Sequence, residues 1–274
     1  MNTTRAANKV IFLIAPPRSL STAFLRMMGE RNDFKIINEP ACGVFNQMHY
    51  PQSQTVYSEQ TLTTYSEVKT KILSAAKDHP IFIKEMSFSF EEFITAEPDL
   101  MNDPNIYFAF LLRNPHHGII SYYKKMPANI LNYIIGDLAL LTGYRALYTS
   151  YKLIQENAIH APYILHAEHL YQDTINTITA FCKHINMPYN EEHLTWNSLD
   201  EHFTGFTEWQ ENKKREHTHH WHHEALRSQG FHQPTLYDVD QHHNPTFNEI
   251  KNKEHQNKCR EVYQESKTYY DLIR

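Results

Sequence analysis

The stretch VIFLIAPPRSLSTAFLRMM, Val10 to Met28, decides the fold. Val10 to Ile14 is an unbroken β-branched and aromatic run closed by Ala15-Pro16-Pro17, the reading of a strand buried on both faces and central in a sheet. The period then changes. Leu20, Ala23, Phe24, Met27 and Met28 recur at helical spacing, so one face of a helix packs on that sheet, and Gly29 is placed to help end it. A buried strand turning directly into a packed helix opens an open α/β sheet, whose ligands gather at the carboxyl ends of the strands.

Working outward, strand and helix alternate. Lys35 to Asn38 and Ile81 to Lys84 read as short strands, separated by a Tyr/Gln/Thr-rich region and a helix over Tyr65 to Ala76. Ile106 to Leu112 is almost wholly apolar and stops at Arg113-Asn114-Pro115, before a helical stretch from His116 to Lys125. Residues 127 to 157 carry long helical patterns. Tyr163 to Leu165 is a fifth strand, and Leu170 to His184 an amphipathic helix with Ile175, Ile178, Phe181 and Cys182 on one side. The alternation predicts an α/β fold, a doubly wound parallel sheet with flanking helices. A single domain over residues 1–274 is expected, its core at about 9–231, followed by a polar, histidine-rich C-terminal extension with a helix near Asn252 to Leu272.

Composition narrows the function. A formal net charge of −5 gives no overall positive field for nucleic acid or an anionic membrane, so neither is expected as a partner and any anion site is local. Cys42, Cys182 and Cys259 are widely separated, with neither a CxxC motif nor a disulfide framework. They fit a reducing, cytoplasmic setting. The polar stretch Met1 to Lys9 and the short apolar run after it contain neither a signal-peptide core nor a membrane span. The chain holds only seven glycines, so its phosphate loop must work without the usual glycine supply.

That loop is Pro16-Pro17-Arg18-Ser19-Leu20-Ser21-Thr22. Backbone N–H groups from Arg18 onward, through Leu20, can converge on one anion, and the helix N-terminus adds its partial positive charge. Arg18, Ser19, Ser21 and Thr22 add side-chain donors. Against the pattern G-x-x-x-x-G-K-[ST], Ala15 and Leu20 stand at the glycine positions and Ser21 at the lysine; only Thr22 agrees. The missing lysine argues against ordinary nucleoside-triphosphate hydrolysis and suits a donor with a shorter phosphate chain. The plainer alternative makes Ser19 a helix cap and Arg18 a surface charge.

Ala15 to Arg26 resembles the 5′-phosphosulfate loop of the sulfotransferases, in the branch whose loop reads P-R-S-x-S-T. Phe110-Leu-Leu-Arg-Asn-Pro-His-His-Gly-Ile-Ile-Ser121 resembles a second family element, in which Arg113 and Ser121 correspond to the pair that binds the donor's 3′-phosphate. Ile164-Leu-His-Ala-Glu-His-Leu170 resembles the family's Y-E-D-L-type turn, and Trp221 to Phe231 the ending of plant and bacterial sulfotransferase-like proteins. The similarity spans roughly residues 9 to 231, while the glycine-rich R-K-G-x-x-G segment of many family members is absent. It implies a P-loop sulfotransferase fold, a donor 3′-phosphoadenosine-5′-phosphosulfate, an acceptor of unknown identity, and Arg18 among the catalytic groups. Asp103 is an alternative partner for Arg113, and Lys213, Lys214 and Arg215 are either a substitute cationic clamp or a solvated face.

Sulfuryl transfer needs a base for the acceptor. Glu39, in Ile37-Asn38-Glu39-Pro40, sits at the same sheet edge as the loop, and the resemblance places a glutamate there; the alternative is that it orders the turn before Pro40. Lys84, closing Ile81-Phe82-Ile83-Lys84, is either the cation for the bridging oxygen or a snorkelling lysine. Glu85 is its partner or a competing base, although alternation turns it to the opposite face. His217, His219, His220, His222 and His223 invite a zinc reading, with Glu224 four residues after His220, but no metal is expected of a crowd drawn from 19 histidines; Trp221 reads as an anchor on the core. Two other functions compete: an ATP-using phosphoryl or nucleotidyl transferase, and a nucleotide-binding module without catalysis.

Overall fold

The computed structural model describes residues 8–51, 62–197, 224–232 and 246–274. Five strands form one parallel sheet: β1 (Val10–Ala15), β2 (Lys35–Asn38), β3 (Ile81–Met86), β4 (Ile106–Leu112) and β5 (Tyr163–His166). Their order is β2-β3-β1-β4-β5, so β1 is central, as its apolar run requires. All six of its residues are buried. The doubly wound α/β class read from the sequence is the one observed.

Side-chain alternation along β1 supplies two cores. Phe12 points to one face, where it meets Phe90, Phe93 and Phe108, stacking on Phe108 with ring centroids 5.6 Å apart. Ile11 and Leu13 point to the other, where α1 (Ser21–Glu30) brings Phe24 against Phe82 and edge-on to Phe181. Burial on both faces explains why the strands read as continuous apolar runs.

The remaining helices are α2 (Cys42–His49), α3 (Tyr65–Ala75), α4 (Ser87–Ala96), α5 (Pro115–Lys125), α6 (Ala128–Ile134), α7 (Leu138–Thr142), α8 (Tyr144–Asn157), α9 (Ala167–Gln172), α10 (Thr174–His184) and α11 (Lys253–Ile273). Three expectations are corrected. Gly29 lies inside α1, and the left-handed residue past the helix end is Asn32 (φ 55°), whose N–H bonds the Gly29 carbonyl; asparagine tolerates that conformation better than most residues. The helix expected over Leu170 to His184 breaks at Asp173, whose carboxylate accepts from Asn176, so that Ile175 faces outward, 48% exposed. The end of the chain is not a polar appendage: Cys259, Val262, Tyr270 and Ile273 of α11 join the core containing Phe12. No described helix is long and apolar enough to cross a membrane.

Candidate active site

The loop after β1 takes its shape from two left-handed residues. Arg18 (φ 65°) and Leu20 (φ 66°) alternate with Ser19 and Ser21, which are not left-handed. Alternation of this kind turns successive peptide N–H groups toward one concavity, an anion nest, here built without glycine. Ser19 does not cap the helix. It is fully buried, its hydroxyl donating to the Pro16 carbonyl at 2.7 Å, and the N-cap is Leu20, which offers no side-chain acceptor. The N-cap side chain therefore does not cover the positive end of α1, which faces the loop.

The two arginines and the serine meet there. Arg113 is 5% exposed at the end of β4 and donates from Nη1 to the Arg18 carbonyl. Arg18 in turn donates from Nε to Ser121 Oγ at 3.1 Å. Arg18 is thus no surface charge, and Asp103 lies before the start of β4, at the opposite end of the strand from Arg113, where its carboxylate accepts from the backbone and side chain of Asn105. Tyr144 donates to the Arg113 carbonyl at 3.1 Å, and α5 accommodates it because residue 118 is glycine: a Cβ there would lie 2.6 Å from the tyrosine oxygen. His117, Ser121 and Lys125 lie one turn apart on α5. Burial, reinforced by the Arg113 charge, pushes His117 down to about 4, so it enters neutral pH uncharged.

The candidate base and lysine form a second group. The Glu39 N–H bonds the Lys84 carbonyl at 2.7 Å, because Asn38 and Lys84 are cross-strand partners, and the Lys84 ammonium donates to the Glu39 carboxylate. Lys84 is wholly buried, which excludes snorkelling. Glu39 is itself left-handed (φ 54°), a costly conformation for a side-chain-bearing residue. Its turn is held from below by Glu85, which accepts from Ala41 N (2.8 Å), Met86 N (2.9 Å), Ser89 Oγ (2.8 Å) and Cys42 Sγ (3.2 Å). Glu85 is therefore committed to the backbone after Pro40 and is not the partner of Lys84.

Of the candidate residues, Arg18, Ser19, Leu20, Ser21, Thr22, Arg113 and Ser121 gather around the loop, and Glu39 and Lys84 pair along the same sheet edge. The sequence had no signal for Lys125, whose ammonium lies 3.3 Å from Glu224 Oε1, or for Tyr144. Lys213, Lys214, Arg215 and the histidines from His217 to His223, with Trp221, fall outside the described residues. Among the described residues no three His, Cys, Asp or Glu side chains cluster as a metal site would.

This sheet order, with a phosphate-type loop after the central strand, is the sulfotransferase fold. Solved structures similar to the chain include the sulfotransferase domain from the curacin biosynthetic pathway, with a TM-score of 0.52 and 12% identity, covering 93% of this chain and 97% of that one. The sulfotransferase domain of the Synechococcus PCC 7002 olefin synthase matches with a TM-score of 0.50 and 13% identity, covering 99% of this chain and 96% of the other. At such identities the likeness concerns the fold. No family model matches the chain. Among curated proteins it is 24% identical over 191 residues to branched-chain-amino-acid aminotransferase-like protein 2 of Arabidopsis thaliana, a match covering 69% of this chain and 32% of the relative. The chain spans about a third of the length of the curated relatives it matches.

Proposed function

We propose that this protein is a sulfotransferase that moves a sulfuryl group from 3′-phosphoadenosine-5′-phosphosulfate to a hydroxyl or amine. The observation that carries the reading is the convergence of Arg18, Arg113 and Ser121 on a loop whose alternating backbone hand suits a phosphate. In this reading the loop amides and Arg18 take the donor's 5′-phosphate, and Arg113 with Ser121 its 3′-phosphate. Glu39 accepts the proton of the acceptor's O–H or N–H as that atom bonds to sulfur. The bond between sulfur and the bridging oxygen breaks, and 3′-phosphoadenosine-5′-phosphate departs with the negative charge. Lys84, fully buried against Glu39, acts through that carboxylate as a positioning residue.

The test is thermal unfolding with 3′-phosphoadenosine-5′-phosphate and no magnesium. At 100 times its dissociation constant a ligand adds roughly 2.7 kcal/mol, a rise in Tm of roughly 5–10 °C for a chain of this size. Stabilisation by ATP with magnesium and none by the bisphosphate would replace this reading with phosphoryl or nucleotidyl transfer, in which a metal neutralises the phosphate chain.

A further inference from the structure

A carboxylate occupies the place where the loop arginine would meet a ligand. Glu224 Oε2 lies 3.6 Å from Arg18 Nη2, and its Oε1 lies 3.3 Å from Lys125 Nζ. Lys125 stands one helical turn beyond Ser121, the residue that accepts from Arg18 Nε. Two cations from separate elements, the loop and the end of α5, thus converge on one spot beside Ser121, and the carboxylate of Glu224 bridges them.

The backbone that carries Glu224 is fastened, while its side chain is not. Arg26 of α1, 3% exposed, donates to the carbonyls of Ala225 (2.6 Å), Leu226 (2.9 Å) and Ser228 (3.1 Å), and also to that of Asn197. Trp196 adds a bond from its indole N–H to Ser228 Oγ at 3.1 Å and an edge-on contact with Phe231. These ties fix the residues after Glu224 against the helix that follows the phosphate loop. The carboxylate itself is 39% exposed and meets its cations at ion-pair distances longer than a charge-assisted hydrogen bond. A contact so hydrated is weak and exchangeable. The two phosphates of the nucleotide, each carrying more charge and more acceptor oxygens, outcompete it, the 5′-phosphate for Arg18 and the 3′-phosphate for Lys125.

Resting on the sulfotransferase reading for the class of nucleotide, we infer that Lys125 is a further donor-binding residue, extending the Arg113 and Ser121 phosphate site along α5, and that Glu224 is an internal counter-anion the incoming nucleotide displaces. The carboxylate offsets part of the positive charge of the site when it is empty, sets a threshold against weakly bound anions, and lowers the affinity for the nucleotide by the strength of its own pairing.

Calorimetric titration of the 274-residue chain with 3′-phosphoadenosine-5′-phosphate tests this on wild type, Glu224→Gln, Lys125→Gln and the double variant, each first checked for a cooperative melt. Glu224→Gln is expected to tighten binding about three- to tenfold, because the competitor is neutralised. Lys125→Gln is expected to weaken it about tenfold, and by at least as much in the Glu224→Gln background, where the carboxylate of Glu224 no longer competes for the lysine. Should Glu224→Gln lose its cooperative melt, Glu224→Asp replaces it, with the shorter carboxylate drawn back from Lys125 and an intermediate gain expected. Unchanged or weaker binding by the Glu224 variants, or unchanged binding by Lys125→Gln, overturns the inference while wild-type binding leaves the donor assignment standing. Absence of bisphosphate binding in all four proteins overturns both.

Discussion

Glu85→Gln is the substitution whose outcome depends most directly on burial. The wild-type carboxyl is fully buried, and burial pushes it up to about 7 from an ordinary 4.5, against the opposing pull of the donors around it. Because its folded value lies above its unfolded value, the folded protein holds the extra proton between those two pH values. The associated stability is therefore complete below about 4.5 and is lost as pH rises through about 7. Each tenfold difference in proton affinity is worth 1.36 kcal/mol, so the loss approaches roughly 3 kcal/mol by pH 8. Glutamine does not titrate, but its amide nitrogen cannot accept from the Ala41 N–H as Oε2 does, which costs about 1–3 kcal/mol for one buried donor left unpaired. The variant should thus be less stable than wild type by about that amount at pH 5, with the gap closing or reversing by pH 8. Urea unfolding of both proteins at pH 5, 6, 7 and 8 measures the gap, and groups common to the two, His117 among them, cancel. A gap that stays constant, or widens as pH rises, would show that the four donors outweigh burial and that Glu85 is ionised throughout.

Two further substitutions separate binding from chemistry. Glu39→Gln keeps the shape of the side chain but cannot take a proton; with a turnover assay in hand, transfer should fall about 10²- to 10⁴-fold while affinity for 3′-phosphoadenosine-5′-phosphate holds, and normal turnover with a lowered Tm would make Glu39 structural. Arg113→Ala removes the donor to the Arg18 carbonyl as well as the candidate phosphate contact, so bisphosphate affinity measured by calorimetry should drop by at least about tenfold, and unchanged affinity would take Arg113 out of the site.

What could be read from the sequence follows from where the information lies. The strands were legible because a parallel strand covered on both faces must be apolar throughout, and Ile106 to Leu112 has the same bounds in sequence and structure. The helix Ser87–Ala96 was not: Ser87-Phe88-Ser89-Phe90 alternates like a strand, and only packing of Phe90 and Phe93 on the sheet makes it helical. Arg113 and Ser121 were singled out by the resemblance of one local stretch, Phe110 to Ser121, to a sulfotransferase element. The Glu39 and Lys84 pair was not, because it needs β2 and β3 to be neighbours, and strand order is set by how the helices fill the two faces. Of the two roles read for Glu85, that of partner to Lys84 fails for a related reason. Alternation gave its face correctly, but its four donors come from the turn after Pro40 and the start of α4, which meet only in the fold.

The glycine-free loop ties these levels together. Placing Arg18 and Leu20 in the left-handed region costs roughly 1–3 kcal/mol each, a cost that glycine would avoid. The offset comes from contacts that a glycine loop does not require: Ser19 to the Pro16 carbonyl, Arg113 to the Arg18 carbonyl, Arg18 to Ser121, and Leu20 packed on the core that holds Phe24. Two of these reach the loop from its own body or its helix, but those with Arg113 and Ser121 come from β4 and α5, far along the chain. The loop is thus shaped by tertiary structure rather than by backbone freedom, and it cannot take its anion-binding form before β4 docks against β1. In the proposed reading position 18 serves twice, its left-handed arginine supplying the cation that the missing loop lysine would have provided, while its carbonyl is the anchor for Arg113. The residue that shapes the loop and the residue expected at the far phosphate of the donor are therefore the same, so that nucleotide affinity and loop geometry are coupled through one guanidinium.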